Sequence, residues 1–248
     1  MFSNDLQALP QNKYNEKCIL KLLRVHFDVE IAPYEVAAFR GAIIEKVGIE
    51  NDLFHNHLNE GGKIDETEDP KFAYRYPRIQ YKRIGKQPVI LCVGEGVDEI
   101  HKFFEKSNWD IRLGKDVLEM RIAKLDLNQF EMKISERLSS YSIRNWVALN
   151  QQAYNQYQKL DGIVEKIAFL EKKLIGNILA FAKGIGWHIE EKIELKITDL
   201  PQMQLISYKK QKLQTFNLDF KTNVFIPQYI GLGAKTSVGM GTVFLKKL

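Results

Sequence analysis

Hydrophobic periodicity in the first half of the chain changes in a set order, and that order constrains the fold more than any single residue does. Between Lys17 and Ile31, the residues Cys18, Ile19, Leu20, Leu22, Val25, Phe27, Val29 and Ile31 form a branched, largely alternating run that predicts a first strand. Pro33 stands at a first-turn position that a helix tolerates, and Val36, Phe39, Ile43, Ile44 and Val47 recur at helical spacing behind it. Gly48 and Asn51-Asp52 close that helix, which leaves the segment from Phe54 to Leu58 as loop. A strand from Ala73 to Ile84, a turn at Gly85 to Pro88 and a strand from Val89 to Val93 come next. Gly94-Glu95-Gly96 turns into a helix from about Val97 to Lys106, followed by strands around Trp109–Met120 and Ile122–Ile134. Strand, helix, strand, strand, helix, strand is the order of a ferredoxin-like unit.

The second half reads differently. Residues 144–184 carry the longest helical signal: Trp146, Leu149, Ala153, Tyr157 and Leu160 in one series, then Ile163, Ile167, Leu170, Leu174, Ile178 and Phe181 beyond Asp161-Gly162. Strands are predicted at Trp187–Ile197, Met203–Tyr208, Leu213–Phe220 and Thr242–Leu248. A helical section that precedes its strands makes any repeat of the first unit weak. Trp146, Tyr154 and Tyr157 suit a helix core or, alternatively, stacking on bases.

A chain of 248 residues is long enough for two small cores. Its formal net charge of +5 leans towards a polyanionic partner without requiring one. Cys18 and Cys92 each lie in an apolar run with no CxxC spacing, which reads as buried thiols in a reducing cytoplasm rather than a metal site. No signal peptide and no membrane-length apolar run are read, so the expected setting is cytoplasmic with no membrane partner.

Three segments carry candidate chemistry. His55-Asn56-His57 puts two of the five histidines in one short polar stretch, where they are either solvated loop residues or an acid–base pair. Residues 71–86 hold six basic residues, three tyrosines and no acid, so Arg75, Arg78, Lys82 and Arg83 are candidate phosphate contacts beside aromatic rings. Between these segments, residues 60–69 carry five acids and one lysine and read as an exposed insertion. Near the carboxyl end, Gly231, Gly233, Gly239 and Gly241 flank Lys235 and Ser237. Such a segment is either a glycine-rich hairpin or a loop whose exposed amides hold phosphate while Lys235 adds charge. It is not a Walker loop, because no Gly-Lys-Ser/Thr precedes a helix.

Residues Gly231 to Gly241 resemble the carboxyl-terminal glycine-rich motif of the RAMP superfamily, RNA-binding proteins of CRISPR systems. Phe39-Arg40-Gly41-Ala42, Leu53 to His57, Tyr74 to Pro77 and Ile79 to Lys82 are similar, in order, to amino-terminal blocks of the CRISPR-repeat-processing endoribonucleases. Gly176 to Leu179, Phe181 to Gly184, and Asn223 ahead of Pro227 are similar to blocks of that family's carboxyl half.

The resemblance implies an α+β protein of tandem ferredoxin-like (RRM-like) domains with a C-terminal glycine-rich loop. Domain boundaries near 1–130 and 131–248 follow, the first domain carrying the His-Asn-His loop and the second the long helical section. It also implies a metal-independent endoribonuclease that needs no cofactor and cuts CRISPR repeat RNA in precursor transcripts. In that reaction the RNA's own 2′-hydroxyl attacks, leaving a 2′,3′-cyclic phosphate and a 5′-hydroxyl. By resemblance His55 and His57 are the catalytic pair, and Tyr74 or Tyr76 takes the family's tyrosine position; Lys46, a few residues upstream at the helix end, is either the charge-stabilising cation or an ordinary surface lysine. An inactive or weakly active repeat-RNA-binding subunit of a CRISPR effector complex is the alternative. The effector complex and a second copy of the chain are further candidate partners. A metal-dependent HNH nuclease does not fit, because that motif scatters its residues and needs nearby carboxylates.

Overall fold

The computed structural model describes residues 17–55, 76–208 and 211–246. The acidic stretch 60–69, His57, Tyr74 and Arg75 lie outside them. The first unit is a four-stranded antiparallel sheet in the order β2-β3-β1-β6. Its strands are β1 (Ile19–Phe27), β2 (Ile79–Ile84), β3 (Gln87–Val93) and β6 (Ile122–Glu131). Helix α1 (Val36–Val47) crosses between β1 and β2. The second crossover consists of two short turns of helix, α3 (Gly96–Glu99) and α4 (His101–Phe104), rather than one continuous helix. The single strand expected around Trp109–Met120 is a hairpin, β4 (Ile111–Leu113) and β5 (Asp116–Leu118), folded at Gly114 with φ of 64°.

Local chemistry explains where α1 starts and stops. The Ala32 N–H donates to the Glu35 carboxylate at 2.6 Å across the turn opened by Pro33, satisfying a donor that the helix start leaves orphaned. At the other end Gly48, with φ of 117°, closes the helix by donating to the Ile44 carbonyl, and Asn51 Nδ2 donates to the Val47 carbonyl. Phe39 and Ile43 are fully buried against Val25, Phe27 and Phe103. Phe27 meets both Phe39 and Phe103 edge to face, at 6.0 and 5.8 Å between ring centroids.

The second unit has the same strand order, as the resemblance implies and as the periodicity of this half does not display. Its sheet runs β11-β7-β10-β8, with β9 also paired to β10. The strand that restores the symmetry is β7 (Ile134–Trp146), which occupies the start of the region read as helical. Its first half is polar and largely exposed, from Ser135 to Ser140, and Trp146 ends the strand instead of opening a helix. The helical section is therefore α5 (Gln151–Gln158) and α6 (Ile163–Gly184), separated at Asp161-Gly162. Leu170, Leu174, Ile178 and Phe181 cover the sheet from α6 and are fully buried. The remaining strands are β8 (Leu195–Ile197), β9 (Gln202–Tyr208), β10 (Gln211–Val224) and β11 (Thr242–Leu245).

Between β10 and β11, where a second crossover helix would lie, the chain instead runs through the glycine-rich segment with one short turn at Thr236–Val238. The two units share a core. Leu20, Leu22, Leu91 and Val93 of the first sheet pack with Tyr141, Ile143, Leu218 and Phe220 of the second. No helix among the described residues is long and apolar enough to cross a membrane.

Candidate active site and RNA interface

Sequence places His55 just beyond α1; the fold anchors it from three sides. Helix α2 (Asp52–His55) begins where the Asn51 carbonyl accepts from Phe54 N and His55 N at 3.0 and 3.2 Å. The Phe54 ring is fully buried, and its carbonyl accepts from the Tyr81 hydroxyl at 3.4 Å. Arg40, one turn into α1, donates from Nη2 to the His55 carbonyl. The guanidinium is half-buried, and its Nε has no hydrogen-bond partner among the described residues. His55 as a whole is half-buried, on a backbone held by these bonds.

Lys46 goes elsewhere. Its ammonium donates to Asn108 Oδ1 at 2.8 Å and to the Asn108 carbonyl at 3.2 Å. With Arg112 it lines a cavity of about 240 Å³ between α1 and β4. The cation that the fold brings to His55 is thus Arg40. In the sequence Arg40 belongs to a family block but carries no assigned role; the helical offset from Arg40 to Lys46, six residues, turns the two side chains to different sides of α1.

The basic-aromatic strand is corrected by its burial. Strand β2 is the sheet edge, and the glycine-rich segment of the second unit covers it. Ile79, Gln80, Tyr81 and Lys82 are all buried, so this is not a solvated RNA track. Lys82, 1% exposed, donates its ammonium to Thr242 Oγ1 at 3.1 Å, and burial pushes its pKa down to about 7. Arg83 donates from Nε to the Ile31 carbonyl at 2.6 Å, and Arg78 reaches Glu95 at 3.8 Å. Tyr76 also works inside the protein. Its hydroxyl donates to the Gly231 carbonyl at 2.9 Å and accepts from Gln80 Nε2 at 2.8 Å, while Gln80 Oε1 accepts from Gly231 N. Its ring lies 5.3 Å from that of Phe181. Trp146 is likewise core, bonded through Nε1 to Asn177 Oδ1 at 2.9 Å.

The glycines of the carboxyl segment answer to the fold first. A Cβ at Gly241 would lie 1.9 Å from the Leu232 carbonyl oxygen, and one at Gly239 would lie 3.2 Å from the Tyr81 carbonyl oxygen. At Gly231 it would meet Thr236 at 2.6 Å, and at Gly233 the Trp146 indole at 2.8 Å. The N–H groups of Gly231, Leu232, Ala234, Gly239 and Gly241 all donate within the protein. A short exposed stretch remains. Lys235 adopts the left-handed conformation, with φ of 59°, and is exposed; Ser237 beside it is half-exposed. Among the described residues no acceptor takes the N–H of Lys235, Thr236 or Ser237; Thr236 between them is buried, so the exposed part of the stretch is Lys235 with half-exposed Ser237.

A cavity of about 520 Å³ opens beside this stretch, between α5, α6, the glycine-rich segment and Tyr76-Pro77. Among the described residues no three His, Cys, Asp or Glu side chains converge as a metal site would require.

Sequence profiles of the Cas6b N-terminal domain and the Cas6b C-terminal domain match residues 18–131 and 133–245. A solved structure of Cas6b is 26% identical and superposes with a TM-score of 0.80, covering 92% of this chain and 100% of its own. Another, a CRISPR RNA processing endoribonuclease Cas6b, is 25% identical with a TM-score of 0.68 over the same shares. An uncharacterized protein of Methanocaldococcus jannaschii is 36% identical over 114 residues, 46% of this chain and 76% of its own length.

Proposed function

The chain belongs to the Cas6b family, and from that premise we propose that it is an endoribonuclease that cuts CRISPR repeat RNA in precursor transcripts. The observation that carries the reading is the likeness, along 92% of the chain, to a solved CRISPR RNA processing endoribonuclease Cas6b.

The chemistry follows from the groups available. The substrate brings its own nucleophile: the 2′-oxygen loses its proton, bonds to the adjacent phosphorus, and the bond to the 5′-oxygen breaks. The 5′-oxygen leaves with a proton supplied by a second group, so the products are a 2′,3′-cyclic phosphate and a 5′-hydroxyl. His55 and His57 are the acid–base pair, each contributing roughly 10²–10⁴ in rate. Arg40, anchored on the His55 carbonyl, is the cation that stabilises the charged phosphorane in place of Lys46. Exposed Lys235 and half-exposed Ser237 hold the RNA backbone.

Purified protein is incubated with end-labelled repeat RNA in EDTA, and the product ends are mapped. Cleavage to a 2′,3′-cyclic phosphate and a 5′-hydroxyl is expected; a strict metal requirement refutes the mechanism. Tight binding with no cleavage points instead to a repeat-RNA-binding subunit.

A further inference from the structure

The cavity between α5, α6 and the glycine-rich segment has a chemistry that the cleavage mechanism does not use. Its volume, about 520 Å³, lies within the ~300–1,000 Å³ usual for small-ligand sites. Small or flat apolar groups form its walls, among them Ala148, Leu149, Ala153 and Ala180. No aspartate or glutamate lines it. Two lysines do, Lys173 and Lys235, each over an aromatic ring: Phe169 at 5.1 Å and Tyr208 at 4.9 Å. Neither ammonium has a carboxylate within ion-pair distance among the described residues.

Two asparagines add direction. Asn150 Oδ1 accepts from Ala153 N at 2.8 Å, and Asn177 Oδ1 accepts from the Trp146 indole at 2.9 Å. Those bonds settle which way each amide is turned, and they leave each Nδ2 as a donor without an acceptor among the described residues. The opposite wall is stiff as well, because Ala234 N donates to the Val147 carbonyl at 3.2 Å and Gly233 packs on Trp146.

We infer that this cavity seats one unpaired nucleotide of the RNA, with its base between the apolar walls and its phosphate between Lys173 and Lys235. The inference rests on the proposed RNA substrate and adds a place where a single base is read. The Asn150 and Asn177 amides would donate to base acceptors such as a pyrimidine O2 or a purine N7. Unopposed positive charge beside an uncharged slot suits a phosphate joined to an aromatic ring, and a free anion would leave the slot empty.

The test uses the whole chain, ¹⁵N-labelled, titrated separately with AMP, GMP, CMP, UMP and inorganic phosphate. At least one nucleotide should shift the Asn150 and Asn177 side-chain amide signals saturably, while inorganic phosphate moves only the amides around Lys235 to Ser237. Ala180→Phe fills the slot from an exposed helix position and should weaken that nucleotide at least about tenfold; Lys173→Ala should weaken it severalfold. The proposal is overturned if no nucleotide shifts the two asparagines up to about 20 mM, if phosphate alone shifts them equally, or if both variants bind like the wild type. The readout is independent of cleavage: loss of repeat cutting by the wild type would sink the proposed function while the titration still reports on the cavity.

Discussion

The guanidinium of Arg40 donates to the main-chain carbonyl of His55, fastening helix α1 to the last residue of α2. That bond fixes the backbone at the end of α2. It also leaves a half-buried cation beside a histidine, where a phosphorane would gain most from it.

Arg40→Ala should lower the single-turnover cleavage rate by about 10²–10³, the loss typical of a removed oxyanion contact. Lys46→Ala, whose ammonium is engaged by Asn108, should change that rate by less than about threefold. Equal losses in the two variants would return the charge-stabilising role to Lys46.

His55→Ala and His57→Ala should each reduce cleavage by about 10²–10⁴ and leave repeat-RNA affinity within about twofold. Filter binding beside gel-resolved cleavage separates the two effects. Undiminished cleavage in either variant removes that histidine from the mechanism.

Lys82 makes stability depend on pH in a defined sense. Its pKa falls from an ordinary 10.5 to about 7 on folding, because burial disfavours the ammonium. Between those two values the unfolded chain holds more protons than the folded one, so this group makes stability rise with pH, by at most about 1.4 kcal/mol per unit. Lys82→Met should therefore be more stable than the wild type at pH 6, with the gap shrinking as pH climbs through 7 to 9. Urea unfolding at each pH measures it; a gap that does not change with pH would show that Lys82 titrates normally.

The glycines divide by what surrounds them. Gly241→Ala meets the Leu232 carbonyl oxygen and holds φ of 60°, so it should cost about 2–4 kcal/mol in thermal or urea unfolding. Gly176→Ala, on α6 with open space around its Cβ, should stabilise by about 0.5–1 kcal/mol. Lys235→Ala should leave stability unchanged and weaken RNA binding, with a shallower dependence on salt. A Gly241→Ala protein of normal stability but poor RNA affinity would reverse the structural account of the motif.

Tyr76→Phe removes a hydroxyl that bonds both Gly231 and Gln80 across the seam between the two units. It should destabilise the protein by about 1–2 kcal/mol without changing the cleavage rate of the folded fraction. A catalytic defect at unchanged stability would place the reaction's tyrosine here.

What the sequence determined by itself was the first unit's order of elements, read from periodicity because its strands and α1 each bury one clean face. Phe39, Ile43 and Val47 repeat at helical spacing, and the run from Cys18 to Ile31 is rich in branched residues. It also determined the family, since several short blocks follow in order from Phe39 to Gly241. The tertiary structure decided the rest. Strand β7 is not legible in the sequence because its exposed first half is polar, while Trp146 to Leu160 is spaced like a helix that the chain forms only from Gln151. Basic residues between Arg78 and Arg83 looked solvent-facing, since composition does not show that an edge strand is covered by a segment some 150 residues later. For the same reason Arg40 and Lys46 were indistinguishable as cations on one helix. Only the packing of α2 against α1 puts one of them on His55 and the other on Asn108.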